Sequence, residues 1–260
     1  MSRHFELLQR AERDRELFGD IAWPSANLPA TAPASKPAAA AKAKPAGPGL
    51  DAVVRDEVAK LVQRLFLLSA NGSGPRTVLF TGIEHGDGSS WICARASQMA
   101  ATQLAGSVCV VDANFRAPTL HEHFGVPNDR GLADAAVAPG RVRDFARRLE
   151  DGNLWFMPCG SSVSDLAMLL SSDRLRVRLA ELRTEFDRVL IDAPPVGIYS
   201  DAAVLGQLAD GVVLVVGANS ARRETARRAK ESLAAAKVRV LGAVLNKRTF
   251  PIPEALYRRL

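Results

Sequence analysis

From residue 77 onward, short apolar runs alternate along the chain with segments of helical periodicity. The apolar runs predict strands at 77–82, 107–113, 154–158, 188–192, 211–216 and 239–245. The helical spacing of apolar residues predicts helices at 50–68 and near 90–104, 141–149, 164–184, 198–208 and 220–236. The run at 212–216 contains no polar residue, which is typical of a strand buried on both faces of a parallel sheet. The pattern predicts an α/β fold, with a doubly wound, mostly parallel sheet flanked by helices.

The first 49 residues have a different pattern. Residues 1–20 carry apolar side chains among many charges, which predicts an amphipathic helix whose apolar members are Phe5, Leu8, Leu17 and Phe18. Residues 21–49 alternate proline with alanine and have little to bury, so we expect a flexible linker. The helix could dock on its own core domain or on a partner, and the sequence leaves both open. Residues 50–260 are expected to form the main domain.

Composition narrows the function further. The formal charge of +6 is spread along the chain, so we expect no nucleic-acid partner. No apolar run approaches the length of a membrane span, and charges interrupt the N-terminal segment where a signal peptide would be apolar. We therefore expect a cytoplasmic protein. The cysteines Cys93, Cys109 and Cys159 lack metal-ligand spacing.

A glycine-rich loop lies between the first predicted strand and the helix after it. Its sequence from Thr81 is TGIEHGDGSS, and a strand, a glycine-rich loop and a helix in this order form a phosphate-binding loop. Backbone N–H groups and the helix N-terminus provide the positive concavity. A lysine normally precedes the final Ser or Thr and reaches the phosphates, but here that position is Ser89. The candidate phosphate-binding residues are Gly86, Asp87, Gly88, Ser89 and Ser90.

Two further apolar strands end in an acid. Asp112 begins the sequence DANFRAPTLH, and Asp192 begins the sequence DAPP. An acid at the end of a buried strand beside a phosphate-binding loop can hold Mg²⁺ or polarise a nucleophile. Ser90, Asp112 and Asp192 are therefore the candidate Mg²⁺ ligands, and the two aspartates are the candidate catalytic residues if the protein is active.

These motifs resemble those of the cytoplasmic ATPase domain of bacterial tyrosine kinases, within the P-loop group that includes the Min and Par ATPases. The resemblance covers about residues 51–247. It implies a P-loop NTPase-like fold, ATP or ADP with Mg²⁺ as cofactors, and Asp112 and Asp192 near Mg²⁺ and the γ-phosphate. It also implies that Asn246 faces the adenine ring, and Arg116 is a candidate nucleotide-binding residue.

The departures from the family pattern cluster at the catalytic centre. Ser89 replaces the lysine, Trp91 replaces a small threonine where the α-phosphate would pass, and Asn114 replaces a second acid. In the family, a glutamate and two arginines at three-residue spacing support ring oligomers; here they would fall at 56/59/62 or 57/60/63, and neither register keeps both arginines. The C-terminal tyrosine cluster of the family is reduced to a single tyrosine, Tyr257.

The resemblance with its departures predicts a degenerate tyrosine-kinase-like protein that acts as a regulatory or scaffolding subunit in exopolysaccharide synthesis or export. Its partner would be a membrane polysaccharide co-polymerase (a chain-length regulator) or an intact kinase relative, which would recruit it to the inner face of the membrane. A homo-oligomer stays open. One alternative is an active ATPase or autokinase in which Arg116, Lys247 or Arg248 supplies the missing charge. Another is a Min- or Par-like positioning ATPase.

Overall fold

The computed structural model describes residues 48–68, 74–149, 152–161, 163–218 and 223–247, with backbone alone at 48–51. All of these residues belong to the unit that begins at Ala46. Its α-helices are α1 (Pro48–Phe66), α2 (Ser89–Gln103), α3 (Leu120–Phe124), α4 (Leu132–Val137), α5 (Leu166–Ser171), α6 (Asp173–Glu185), α7 (Asp201–Gly206) and α8 (Arg223–Ala235). Its strands are β1 (Thr77–Gly82), β2 (Val108–Asp112), β3 (Arg147–Arg148), β4 (Leu154–Met157), β5 (Arg188–Ala193), β6 (Gly211–Gly217) and β7 (Val240–Asn246).

The seven described strands form one sheet in the order β3-β4-β2-β5-β1-β6-β7. Every neighbouring pair is parallel except β3 and β4. The central strands are buried almost along their whole length, as the apolar runs predicted. The predicted α/β fold with a mostly parallel, doubly wound sheet is confirmed.

Helices cover both faces of the sheet because successive strand residues point to opposite sides. On one face, Val78 and Phe80 of β1 belong to a core that also contains residues of α1 and α2. On the other face, Leu79 belongs to a core with leucines and alanines of α4, α6, α7 and α8. Strands in such a sheet present their carboxyl ends at one edge, where the loops after β1, β2 and β5 meet.

Two predicted helices are wrong in part. The predicted helix at 141–149 is a 3₁₀ turn, Val142–Phe145, and then the short strand β3. The 3₁₀ turn buries Val142 and Phe145 three residues apart, a spacing that also fits a helix, and the next residues pair with β4. The predicted helix at 164–184 is two helices, α5 and α6. Ser172 separates them, because its extended backbone ends α5 while its hydroxyl accepts the N–H of Leu175 and caps α6.

The predicted boundary between linker and domain also shifts. Helix α1 begins at Pro48, inside the segment assigned to the linker, and proline is well suited to the first turn of a helix. The predicted N-terminal helix and the rest of the linker lie outside the described residues. None of the helices that the structure describes is long and apolar enough to cross a membrane.

Candidate nucleotide site

The glycine-rich loop connects β1 to α2 at the carboxyl edge of the sheet. Gly88 is the N-cap of α2 in the left-handed conformation, at φ 86°, and Gly86 is also left-handed, at φ 81°. A residue with a side chain adopts such angles only at a cost. No side chain caps the first turn of α2, so its N–H groups point to the loop. This is the arrangement in which a helix N-terminus binds phosphate.

Asp87 holds the first half of the loop together. Its Oδ2 accepts the backbone N–H groups of Ile83 at 3.0 Å and Glu84 at 2.9 Å, and the residue is only 1% exposed. The sequence placed Asp87 among the phosphate-binding residues. That assignment stays a prediction. The structure shows that the carboxylate is turned toward the loop's own backbone, where it accepts two N–H groups and so helps to shape the loop.

Asn246, the last residue of β7, holds the second half of the loop. Its Nδ2 donates to the carbonyl oxygen of Asp87 at 2.8 Å. A Cβ on Gly88 would come within 2.5 Å of the same nitrogen, so glycine is needed there for space as well as for its backbone angles. The resemblance implied that Asn246 faces an adenine ring, and this stays a prediction. Its contact with the loop was not predicted, because nothing in the sequence pairs residues 159 positions apart.

Asp112 and Asp192 lie side by side at the ends of β2 and β5, where their Cα atoms are register partners. Both are fully buried. Asp112 accepts the N–H of Asn114 on Oδ1 and the N–H of Leu120 on Oδ2, each at 3.1 Å. Within the described residues, neither oxygen of Asp192 has a hydrogen-bond partner. The two predicted catalytic aspartates are therefore brought together, and one of them presents two unpaired carboxylate oxygens.

The surroundings of this pair disfavour negative charge. Burial raises the pKa of Asp112 from 3.8 to about 7, against the opposing effect of its backbone hydrogen bonds. The pKa of Asp192 is raised well above its ordinary value, first by burial and then by the charge of Asp112. The Ser90 hydroxyl lowers it in part, although it makes no hydrogen bond of normal geometry to Asp192. Burial, and then the two carboxylates, also raise the pKa of the Cys93 thiol.

Oxygen donors of this kind fit Mg²⁺. Mg²⁺ is usually held by one or two carboxylates together with nucleotide phosphates and water, rather than by a cage of protein ligands alone. Within the described residues, no group of three or more His, Cys, Asp or Glu side chains could hold a metal by itself. Two carboxylates and one serine hydroxyl beside a phosphate-binding loop match a site in which protein and nucleotide hold Mg²⁺ together. A cation there would also pair with the two oxygens of Asp192 that have no hydrogen-bond partner.

Arg116 lies in the loop after β2, four residues beyond Asp112. Its Nε and Nη2 donate to the two oxygens of Asp201 at 2.8 and 3.0 Å, and its guanidinium lies 4.2 Å from the ring centroid of Tyr199. The Tyr199 hydroxyl is in turn 3.4 Å from Nε2 of His85, in the phosphate-binding loop. The structure thus joins three loops through four side chains. Of these four residues, the sequence analysis named only Arg116 as a candidate nucleotide-binding residue.

The residues that depart from the family pattern have clear positions. Ser89 is the partly exposed first residue of α2. The Trp91 side chain lines a groove of about 1050 Å³ between α1 and α2, and Arg95 lies 5.5 Å from its ring centroid. Lys247 has φ 58° and comes directly after Asn246, whose Oδ1 accepts its N–H. Arg248 and Tyr257 lie outside the described residues.

Helix α1 contains the positions of the family's oligomer motif. In one register its third position is Val62, which is fully buried in the core and cannot contact another chain. In the other register, Lys60 forms ion pairs on its own helix, at 2.9 Å from Glu57 and 2.7 Å from Asp56.

Comparison with known proteins shows the family to which the chain belongs. The family model for cellulose biosynthesis protein BcsQ matches residues 76–241. Tyrosine-protein kinase YwqD of Bacillus subtilis is 32% identical over 171 residues, which cover 66% of this chain and 72% of YwqD. The putative tyrosine-protein kinase CapB of Staphylococcus aureus is 28% identical, with 66% of this chain and 75% of CapB covered. The crystal structure of the VpsO kinase domain superimposes with a TM-score of 0.67 at 25% identity, covering 77% of this chain and 99% of that domain.

The matched region begins just before β1 and ends within β7, so it contains the glycine-rich loop and both strand-end aspartates. The chain belongs to the BcsQ family of P-loop proteins, among the relatives of the bacterial tyrosine kinases.

Proposed function

We propose that this protein is a nucleotide-binding regulatory or scaffolding subunit of an exopolysaccharide synthesis or export system, with little ATPase activity and no phosphorylation of its own tyrosines. The observation that carries the proposal is the contrast within the site. Both aspartates of the buried pair are present, and Asp192 has no hydrogen-bond partner among the described residues, while Ser89 stands in the place of the lysine.

In this proposal the chain's own residues bind and orient a nucleotide. The N–H groups at the start of α2 bind its phosphates, while Asn246 and Asp87 keep the loop open in the required shape. Ser90, Asp112 and Asp192 would hold Mg²⁺, which when bound would neutralise phosphate charge. Asp192 would also orient a water or hydroxyl group toward the phosphates, a role that needs the unpaired carboxylate oxygens it presents.

The absence of the lysine weakens catalysis more than binding. A positive group aimed at a transferring phosphoryl group supplies several kcal/mol of transition-state stabilisation. Because about 1.4 kcal/mol corresponds to a tenfold change in rate, we expect cleavage to be slower by roughly a hundredfold or more than with a lysine. Binding loses less, because the backbone donors and Mg²⁺ ligands remain.

The proposed partner is the cytoplasmic part of a membrane polysaccharide co-polymerase or an intact tyrosine-kinase relative. Two findings support it: the family model carries the description of a cellulose biosynthesis protein, and the matched relatives are named as tyrosine-protein kinases. Such a partner would bring the protein to the inner face of the membrane. The predicted N-terminal helix and linker would give it a second point of attachment.

The first test is calorimetric titration with ATP and ADP, with and without Mg²⁺, together with a phosphate-release assay. We expect Mg²⁺-dependent nucleotide binding with very slow phosphate release. Ser89→Lys should raise the release rate at least about tenfold, toward the lysine-containing site. Ser232→Lys, which adds the same charge on the exposed side of α8, is the matched control and should change nothing.

Other outcomes would favour the alternatives. Saturable phosphate release by the unmodified protein, abolished by Asp192→Asn, would indicate an active ATPase. Tyrosine phosphorylation of the purified protein would indicate an autokinase, and nucleotide-dependent dimerisation on DNA or lipid would indicate a positioning ATPase. Lack of binding up to millimolar ATP would leave a scaffold without a working nucleotide site.

A further inference from the structure

Arg116 is a cation beside the site, and its guanidinium is already paired with a carboxylate. Its guanidinium forms a two-point ion pair with Asp201, whose side chain is only 3% exposed, while the Arg116 side chain is 38% exposed. The Cζ atom of the guanidinium lies over the ring of Tyr199, 4.2 Å from its centroid. Two-point pairs of this type are strong and directional, and the contact with the ring favours the same orientation. The charge of Arg116 is therefore neutralised in this arrangement.

The position of Arg116 connects it to the nucleotide site through two routes. One route is covalent: Arg116 lies in the segment between Asn114 and Leu120, whose N–H groups are both held by the Asp112 carboxylate. The other route is through side chains: Tyr199 contacts both Arg116 and His85 of the phosphate-binding loop. A change at the loop or at Asp112 would therefore reach the Arg116–Asp201 pair directly.

We propose that Asp201 and bound nucleotide compete for Arg116, and that Asp201 and Tyr199 are positioning residues for it. This proposal rests on the proposed nucleotide binding. In the arrangement seen here, Asp201 holds the guanidinium away from the phosphates. When nucleotide binds, Arg116 leaves Asp201, pairs with phosphate oxygens in place of the missing lysine, and breaks the link through Tyr199 to His85. The contacts between the loops after β2 and β5 would then depend on whether nucleotide is bound to the phosphate-binding loop.

If Asp201 and nucleotide compete for Arg116, replacing the two partners of this ion pair should change MgATP affinity in opposite directions. Arg116→Gln should weaken MgATP binding about tenfold or more, because a charge-assisted contact to phosphate is lost. Asp201→Asn should tighten MgATP binding at least about threefold, because the competing carboxylate is gone. The double variant should bind like Arg116→Gln alone. Arg183→Gln, which breaks the ion pair with Asp210 at 2.6 Å, is the matched control and should leave the affinity unchanged.

A purely structural ion pair predicts the opposite result for Asp201→Asn, since both single variants would then weaken binding by loosening the loops. Weaker binding by Asp201→Asn therefore overturns the proposal, as does an Arg116→Gln protein that binds MgATP like the wild type. If the wild type and Asp201→Asn both fail to bind MgATP, the proposed nucleotide binding itself is wrong. The Arg116 Nε–H resonance of the unmodified protein, recorded by NMR, should shift on adding MgATP; an unchanged resonance in a protein that binds MgATP overturns the proposal without any variant.

Discussion

Replacing Asp192 with asparagine should stabilise the protein in the absence of nucleotide and Mg²⁺. Asp192 is fully buried, has no hydrogen-bond partner among the described residues, and lies against Asp112 on the next strand. Asparagine has nearly the same shape and carries no charge. The substitution therefore removes a buried carboxyl group that is costly to ionise, with little change in side-chain shape.

The pH dependence of this effect comes from the direction of the pKa shifts. An acid whose pKa is higher in the folded than in the unfolded protein keeps its proton longer in the folded state, so stability falls as pH rises. For Asp112 this loss runs from about pH 4 to about pH 7, and the raised pKa of Asp192 adds a loss of the same sign. One pKa unit corresponds to about 1.4 kcal/mol. Because a buried asparagine also lacks partners, we expect a net gain of about 1–3 kcal/mol at pH 8 and almost none at pH 5.

The assay is urea unfolding of the full chain at pH 5 and pH 8, without nucleotide or Mg²⁺. Asp187→Asn is the matched control at the opposite end of the same sheet. Backbone and side-chain hydrogen bonds from Ser107 lower the pKa of Asp187. Removing the Asp187 charge should therefore destabilise the protein at pH 8. If Asp192→Asn lowers the free energy of unfolding at pH 8 by more than at pH 5, the reasoning about an uncompensated buried charge is wrong.

Two other substitutions test the loop and the helix packing. Gly88→Ala should abolish nucleotide binding and destabilise the protein by more than about 1 kcal/mol, since the new Cβ would strain the backbone and strike Asn246. Gly86→Ala, with a similar φ but open space around it, separates the two causes, and equal effects in urea unfolding would refute the clash. Arg178→Ala should cost about 1–3 kcal/mol in thermal unfolding, because its guanidinium binds three carbonyl groups at and beyond the end of α4. Arg174→Ala, which removes one contact at 3.4 Å, should cost much less, and comparable losses would contradict this assignment.

Much of the sheet could be predicted because buried strands have a recognisable sequence pattern. The strands around the site are short apolar runs that end in or next to an acid or a glycine, and parallel strands buried on both faces leave that pattern. The order of motifs along the chain then placed the loop, Asp112 and Asp192 at one edge. The helical segments were harder to predict from the sequence. The spacing of Val142 and Phe145 fits an α-helix and a 3₁₀ turn equally well, and the turn ends where Arg147 pairs with β4.

The contacts that could not be predicted are those between distant segments. Asn246 holds the carbonyl of Asp87, and Arg116 pairs with Asp201, across 159 and 85 positions respectively. Each residue type has many uses, so the sequence around it does not select the partner. The position of Trp91 shows the same limit. The sequence suggested that its ring obstructs the α-phosphate, but the structure shows only that the ring lines the groove beside α1.

The energetics of the aspartate pair argue for a ligand even without the lysine. Two buried carboxyl groups on neighbouring strands destabilise the folded chain as pH rises, and no described group donates a hydrogen bond to Asp192. A divalent cation would supply the missing charge and would bind more tightly as pH rises, because it displaces protons from Asp112 and Asp192. A cation held by Ser90 would lie next to the N–H groups at the start of α2, which are suited to bind phosphate. Under the proposed function, Ser89 in place of a lysine would therefore remove a catalytic charge without removing the reason for Mg²⁺ and nucleotide to bind together.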